Sequence, residues 1–242
     1  MLIATLNHNL PDLTDNLVNQ LSKNEFNYEL LVLDNGSTEP LPKSTTHKLD
    51  QNYFFGGGFN VVLDYFLQSD HKYFVVLNND LIFHGHNILN HIHSTMENEN
   101  IALYSPSVIN ASVDQCKWTT VHNWGSNGLR NVPFIDFQCP FIRRDLAEII
   151  QKFPEELMLG YGLDFFASIL AQRNNLRICV DDRITFCHLE NQTLKREKLT
   201  TISKEQYYRG NMENMVNYFT NSEFKNDFDR LWQDGQTYKF MG

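Results

Sequence analysis

The first eighty residues alternate continuous apolar runs with stretches of helical period. Leu2 to Leu6 is apolar apart from Thr5, and Asn7 to Asp12 breaks the run. Leu13, Leu17, Val18 and Leu21 then recur at helical spacing. Leu30 to Leu33 is apolar again and runs into Asp34-Asn35-Gly36-Ser37, a turn signal. Beyond the glycines at 56–58, Phe59, Val62, Leu63, Phe66 and Leu67 recur at helical spacing, which predicts a helix beginning after Gly58. Tyr73 to Leu77 is a third apolar run. It ends in Asn78-Asn79-Asp80, yet Leu81, Ile82 and Phe83 turn apolar once more. Continuously apolar strands alternating with helices predict a parallel-dominated α/β sheet with both faces covered.

In such sheets ligands bind outside the carboxyl ends of the strands. The residues there are Thr5 and Asn7, then Asp34, then Asn78, Asn79 and Asp80. Three successive strands ending in polar groups suggest the rim of a site. Taken singly, Asp34-Asn35-Gly36 is equally a plain turn.

The second half is less periodic. Residues 86–97 predict a helix, and 101–109 a strand broken by Pro106. Residues 111–131, with Trp118 and Trp124, read as a long loop or a pair of irregular strands. A strand precedes Arg143-Arg144, and a helix follows from about Asp145. Gly160 and Gly162 precede a helix that carries Asp164 in its first turn. Leu176 to Glu190 predicts a strand pair or a strand and a turn. The tail is helical, with Tyr208, Met212, Met215, Tyr218 and Phe219 in phase.

Composition narrows the choices. The 242 residues are 42% hydrophobic and carry a formal net charge of −9, which fits a globular core and argues against nucleic acid as main partner. No apolar run reaches the length of a membrane span. Met1 leads straight into Leu2-Ile3-Ala4, so no signal peptide is expected. The four cysteines form no C-x-x-C pair, and free buried thiols in a cytosolic chain are expected. His84, His86, His91 and His93 are read as a solvated helix start rather than a metal cluster.

Taken together, "TLN", "LVLDNGS", "NYFFGGGFN", "VVLNNDLIF", "FIRRD", "GYGLDFFASILAQRNNLRI", "FCHLE" and "YYRGN" appear in an order that resembles glycosyltransferase family 2, including its rhamnosyltransferase-like members. The resemblance covers residues 1 to about 220. It implies a single GT-A (Rossmann-like) domain, with residues 1–105 binding the nucleotide sugar, 106–220 supplying the acceptor side and catalysis, and 221–242 forming a tail.

On this resemblance, Asp80 would bind Mn²⁺ or Mg²⁺, which favour hard oxygen ligands and retain phosphate and water co-ligands, and His188 would complete that metal site or contact the diphosphate. Thr5, Asn7 and Asp34 would hold the base. Asn52, Gly57, Gly58, Asn60, Asn78, Asn79 and Arg209 would contact the rest of a UDP- or dTDP-linked donor. Asp164 would be the general base of an inverting transfer. Arg143 and Arg144 match the family's I-R-R, whose role is structural or acceptor-facing. The sequence departs from the pattern at Phe54, where the family often has glycine. It also has Asn78 for the first acid of a D-x-D motif, and Leu163, Phe166 and Leu170 for a Glu, an Asp and an Arg.

The expected enzyme is cytoplasmic, builds a polysaccharide or another lipid- or protein-linked glycan, and could touch the inner face of a membrane. The aromatic tail and residues 111–131 would form the acceptor side. Two other readings stand beside it. One is an inactive nucleotide-sugar-binding or scaffold protein of the same fold. The other is a nucleotidyltransferase, disfavoured because Asn7-His8-Asn9-Leu10-Pro11 lacks a basic residue.

Overall fold

The computed structural model of the chain describes residues 1–109, 120–123, 125–189, 192 and 204–238. Trp118, Trp124 and Cys116 lie outside the described residues, as do 111–119 of the stretch expected to be irregular. Cys139 and Cys179 are buried free thiols, and Cys187 is a half-buried one.

Strands β1 (Leu2–Asn7), β2 (Glu29–Asp34) and β4 (Tyr73–Leu77) alternate with helices α1 (Pro11–Leu21) and α2 (Phe54–Leu67), as the periodicity predicts. A two-residue strand β3 (His47–Lys48) pairs with β2. Beyond β4 come β5 (Leu81–His84), α3 (Ile88–Asn98), β6 (Ile101–Val108), β7 (Leu129–Asn131) and β8 (Phe141–Arg143). Then follow α4 (Arg144–Ile150), a 3₁₀ turn at Glu155–Leu157, α5 (Leu163–Arg173), β9 (Arg177–His188), α6 (Lys204–Thr220) and α7 (Lys225–Tyr238).

Among the described residues the nine strands join one sheet, ordered β3-β2-β1-β4-β8-β6-β9-β5 with β7 also on β9. Pairing is parallel among β1, β2, β3 and β4 and between β6 and β9. It is antiparallel where β8, β5 and β7 join, so the mixed character comes from short strands that alternation alone does not reveal. β4 is buried along its whole length, because it lies mid-sheet with helices over both faces.

Three local expectations change. Helix α2 begins at Phe54 rather than after Gly58. The Asn52 side-chain oxygen accepts the Phe54 N–H at 2.8 Å and turns the chain early. The glycines then lie inside the helix because neighbours press on it: a Cβ at Gly56 would meet the Met158 backbone at 2.8 Å, and one at Gly58 the Leu6 side chain at 2.8 Å.

Pro106 does not break its strand. β6 runs through it, and the register with β9 shifts between Pro106 and Ser107, where the missing donor is absorbed. Leu176 to Glu190 was expected to divide, but Arg177–His188 is one strand carrying that irregularity.

The core is rich in phenylalanine. Phe59 is fully buried and packs against Phe74, Phe137 and Phe153 with centroids 5.1–5.9 Å apart. Each such side chain contributes about 1.5–3 kcal/mol by burial. The tail is part of this core: Phe219 stacks on Phe228 at 4.6 Å, and both meet Phe165 on α5. No helix among the described residues is long and apolar enough to cross a membrane.

Candidate active site

Why apolar residues follow Asn78-Asn79-Asp80 is answered by β5. Leu81 pairs with His188 in an antiparallel ladder, so the acidic turn is pinned against the end of β9. Gln20 of α1 satisfies the other edge of β5: its amide donates to Leu81 O at 3.1 Å and accepts from Phe83 N at 3.0 Å. The Leu189 N–H closes the corner on Asp80 O at 3.1 Å. Because β9 runs parallel to β6, and β6 and β4 are both antiparallel to β8, His188 lies at the same sheet edge as the ends of β1, β2 and β4.

At that edge His188 Nε2 stands 3.0 Å from Asp80 Oδ1 and 3.3 Å from Asn78 Nδ2. Asp80 is 7% exposed. Two cis ligands of an octahedral ion at about 2.1 Å stand about 3.0 Å apart, so the pair fits a hard divalent cation as two of its ligands. Among the described residues no group of three His, Cys, Asp or Glu side chains is placed to hold an ion. Phosphate and water would have to supply the other ligands. The Asn79 amide turns instead to α1, donating to Thr14 Oγ1 at 3.0 Å.

A carboxylate outside the sequence-derived candidates joins this corner. Asp136 lies in the loop entering β8 and accepts from Gln138 Nε2 at 2.9 Å. Burial raises its pKa above the usual aspartate value, while His188 pulls it back. Gln138 is itself buried, and its Oε1 has no hydrogen-bond partner. The available signal was an acid between Ile135 and Phe137, both of which are core residues.

Asp164 follows Gly162, the residue that caps α5. Gly162 has φ +92°, and a Cβ there would press on Met215 at 2.9 Å and Phe219 at 3.1 Å, so no other residue fits. Asp164 Oδ1 accepts the Phe165 N–H at 2.9 Å. Burial, and next the charge of Asp136, push the Asp164 carboxyl up to about 7. The departures beside it are core positions: Leu163 is fully buried, and Phe166 packs on Phe224 at 5.4 Å.

The remaining candidates divide. Thr5, Asn7 and Asp34 are fully buried at the ends of β1 and β2. Thr5 Oγ1 donates to Leu77 O at 3.1 Å, tying β1 to β4. Asp34 accepts from Asn7 Nδ2 at 2.8 Å, Ser37 Oγ at 2.5 Å and Ser37 N at 3.1 Å, so its carboxylate also braces the turn. Asn52 joins an amide web with Asn35 at 3.2 Å and His8 at 3.2 Å.

Gly57 packs on Tyr53 inside α2. Asn60 is committed to the scaffold, donating to Phe153 O at 3.0 Å and accepting Phe153 N–H at 2.8 Å. Arg209 is exposed on the second turn of α6.

Arg143 chelates Asp145 at 2.7 Å, and Arg144 holds the backbone carbonyls of Phe66, Ser69 and His71. His91 pairs with the buried Asp181 at 3.3 Å.

Solved structures share this fold. The mannosyltransferase PcManGT from Pyrobaculum calidifontis, in complex with GDP-Man and Mn²⁺, matches 99% of this chain and 70% of its own at TM-score 0.63 and 11% identity. Residues 1–349 of TarS from S. aureus match with TM-score 0.57 at 16% identity, over 94% of this chain and 73% of that one. The same TarS segment in complex with UDP gives 0.55 at 15% identity, over 95% and 74%. The chain therefore shares the fold of these structures, mixed α/β with a large central sheet flanked by helices. No family model matches it, and no curated protein matches it.

Proposed function

We propose that the chain is an inverting, family-2-like glycosyltransferase using a nucleoside-diphosphate sugar, UDP- or dTDP-linked, with a hydroxyl of a glycan or of a lipid- or protein-linked saccharide as acceptor. The observation that carries this reading is the Asp80–His188 pair, 3.0 Å apart at the sheet edge where β1, β2 and β4 end, with Asp136 close enough for its charge to act on both His188 and Asp164. A diphosphate cannot approach such a set of carboxylates unless a cation offsets the charge. Asp80 and His188 would hold that divalent cation, which supplies charge neutralisation to the leaving diphosphate.

The chain's own groups account for the rest. Asp164, held near the working pH, takes the proton of the acceptor hydroxyl as that oxygen bonds to the anomeric carbon. The bond from that carbon to the diphosphate breaks with its electron pair, releasing the nucleotide. Asp136 raises the basicity of Asp164, and Gln138 has a carbonyl oxygen ready for a sugar hydroxyl. Asp34, Asn7 and Thr5 would line the base pocket. We further propose a cytoplasmic enzyme of polysaccharide synthesis, as expected from the resemblance to family 2.

A thermal-shift panel of UDP, dTDP, GDP and CMP, with and without Mn²⁺, tests the donor side. Ligands that bind only the folded state raise Tm by mass action. One nucleotide should stabilise the wild type with Mn²⁺ alone, and Asp80→Ala should lose the gain. No response from any nucleotide well above millimolar would overturn the reading.

A further inference from the structure

Away from the carboxylate cluster, the structure forms a cleft of about 660 Å³ between the start of α2, the 3₁₀ turn and α6. That is within the range of small-ligand pockets, about 300–1,000 Å³. Thr5, Asn7, Asp34, Asp80, Asp136, Asp164 and His188 are all absent from its lining.

Its chemistry is narrow. Asn214, Asn217 and Asn221 recur at intervals of three and four, so they lie on one face of α6 and its exit, and all three line the cleft. Asn211 continues the same stripe inward, where it is buried and accepts the Tyr161 N–H at 3.5 Å. Asparagine is a poor helix former, costing about 0.6 kcal/mol relative to alanine at each position. Asn221 lies just past the helix and its amide donates to Asn217 O at 2.9 Å, closing the helix end, so fold stability leaves Asn214 and Asn217 unaccounted for. Across from it stand Glu155 and Glu156, and Phe54 and Tyr218 provide aromatic faces.

Among the described residues no lysine, arginine or histidine lines the cleft. A phosphorylated or carboxylated ligand would find no counter-charge there. Amides both donate and accept, as sugar hydroxyls do, and the carboxylates accept.

Phe54 adds a second observation. It is 47% exposed and holds φ +58°. A bulky residue in the left-handed region costs about 1–2 kcal/mol, and such outliers cluster at ligand sites. An aromatic ring is kept at the cleft mouth where glycine would relieve the backbone.

We propose that this cleft binds a neutral oligosaccharide. Phe54 and Tyr218 stack on sugar faces, while Asn214, Asn217 and Glu156 hydrogen-bond hydroxyls. Met158 and Leu159 in its wall belong to the segment that leads along the chain into α5 and Asp164. That it belongs to the acceptor rests on the transferase reading; saccharide binding itself does not.

Saturation-transfer NMR on the full chain tests this with neutral trisaccharides of the gluco, manno, galacto, rhamno and N-acetylhexosamine series, and trigalacturonate as the anionic control. At least one neutral probe should bind with a Kd of about 1 mM. Phe54→Ala and Asn217→Ala should each weaken it more than about tenfold while leaving Tm and the nucleotide response intact. Trigalacturonate should bind more weakly than the neutral probe. No binding by any neutral series at tens of millimolar, or binding that survives both substitutions, overturns the proposal. A saccharide bound without any nucleotide response would support the cleft and sink the donor reading. The reverse result would sink the cleft alone.

Discussion

Replacing Asp164 by asparagine should make the protein more stable, and only at higher pH. The native carboxyl titrates at about 7, against an ordinary aspartate value of 3.8 in the unfolded chain. Below pH 4 both states hold the proton and the substitution removes no charge. Between about 4 and 7 the native state still holds it while the unfolded chain has lost it, so wild-type stability falls as pH rises. Above 7 the full cost remains. A rise of about three pH units, at about 1.4 kcal/mol each, sets an upper bound of about 4 kcal/mol. Partial solvent access to the half-buried carboxylate lowers this, and about 2–4 kcal/mol is expected at pH 8. At pH 5 less than half of that should remain. The asparagine oxygen can still accept the Phe165 N–H, so the helix start is not disturbed. Urea unfolding of both proteins at pH 5 and pH 8 reads the difference directly. At slopes of about 1–3 kcal/mol per molar, the pH 8 midpoints should separate by about 1 M. Equal midpoints at pH 8 would refute the reasoning. So would a gain of the same size at both pH values, which would trace to packing rather than charge.

Three further outcomes follow from the same geometry. Asp136→Asn removes the neighbouring charge, so the pH at which Asp164 titrates should fall, and the acid limb of metal-dependent donor hydrolysis should move to lower pH. Asn60→Ala leaves Phe153 N and O without their side-chain partner; it should cost about 1–3 kcal/mol in urea unfolding without changing the nucleotide response. Phe54→Gly should be about 1 kcal/mol more stable than Phe54→Ala by the same measurement, because only glycine holds φ +58° without strain.

The first eighty residues of this fold were legible because their signals are local. Apolar runs of four or five residues give β1, β2 and β4, and their polar ends mark the site edge without knowledge of the rest. The helix start at Phe54 was not legible. It depends on Asn52 and on the approach of the Met158 backbone, a hundred residues away. β5, β7 and β8 are three or four residues long, too short for a period to register, and they exist because β9 and β4 offer them edges. Asp136 was hidden for a related reason. Within an apolar run an acid resembles an outward-facing polar position. Only the turn into β8 brings it beside Asp164 and His188.

These omissions bear on how the site works. A carboxyl held near 7 needs both low solvent access and a like charge nearby, and the two come from different parts of the chain. Gly162 and the aromatic packing of α5, α6 and α7 set Asp164 into the protein, and the β8 loop supplies Asp136. The substitutions at Leu163 and Phe166 then take on a physical meaning. Acids at those positions would be buried beside two carboxyls already strained by burial, and like charges there would drive the set toward protonation. With leucine and phenylalanine in their place, the charge is confined to Asp136 and Asp164, where burial first and the charge of Asp136 second raise the basicity of Asp164. An acid that costs stability above neutral pH is accounted for if it serves as the base proposed above.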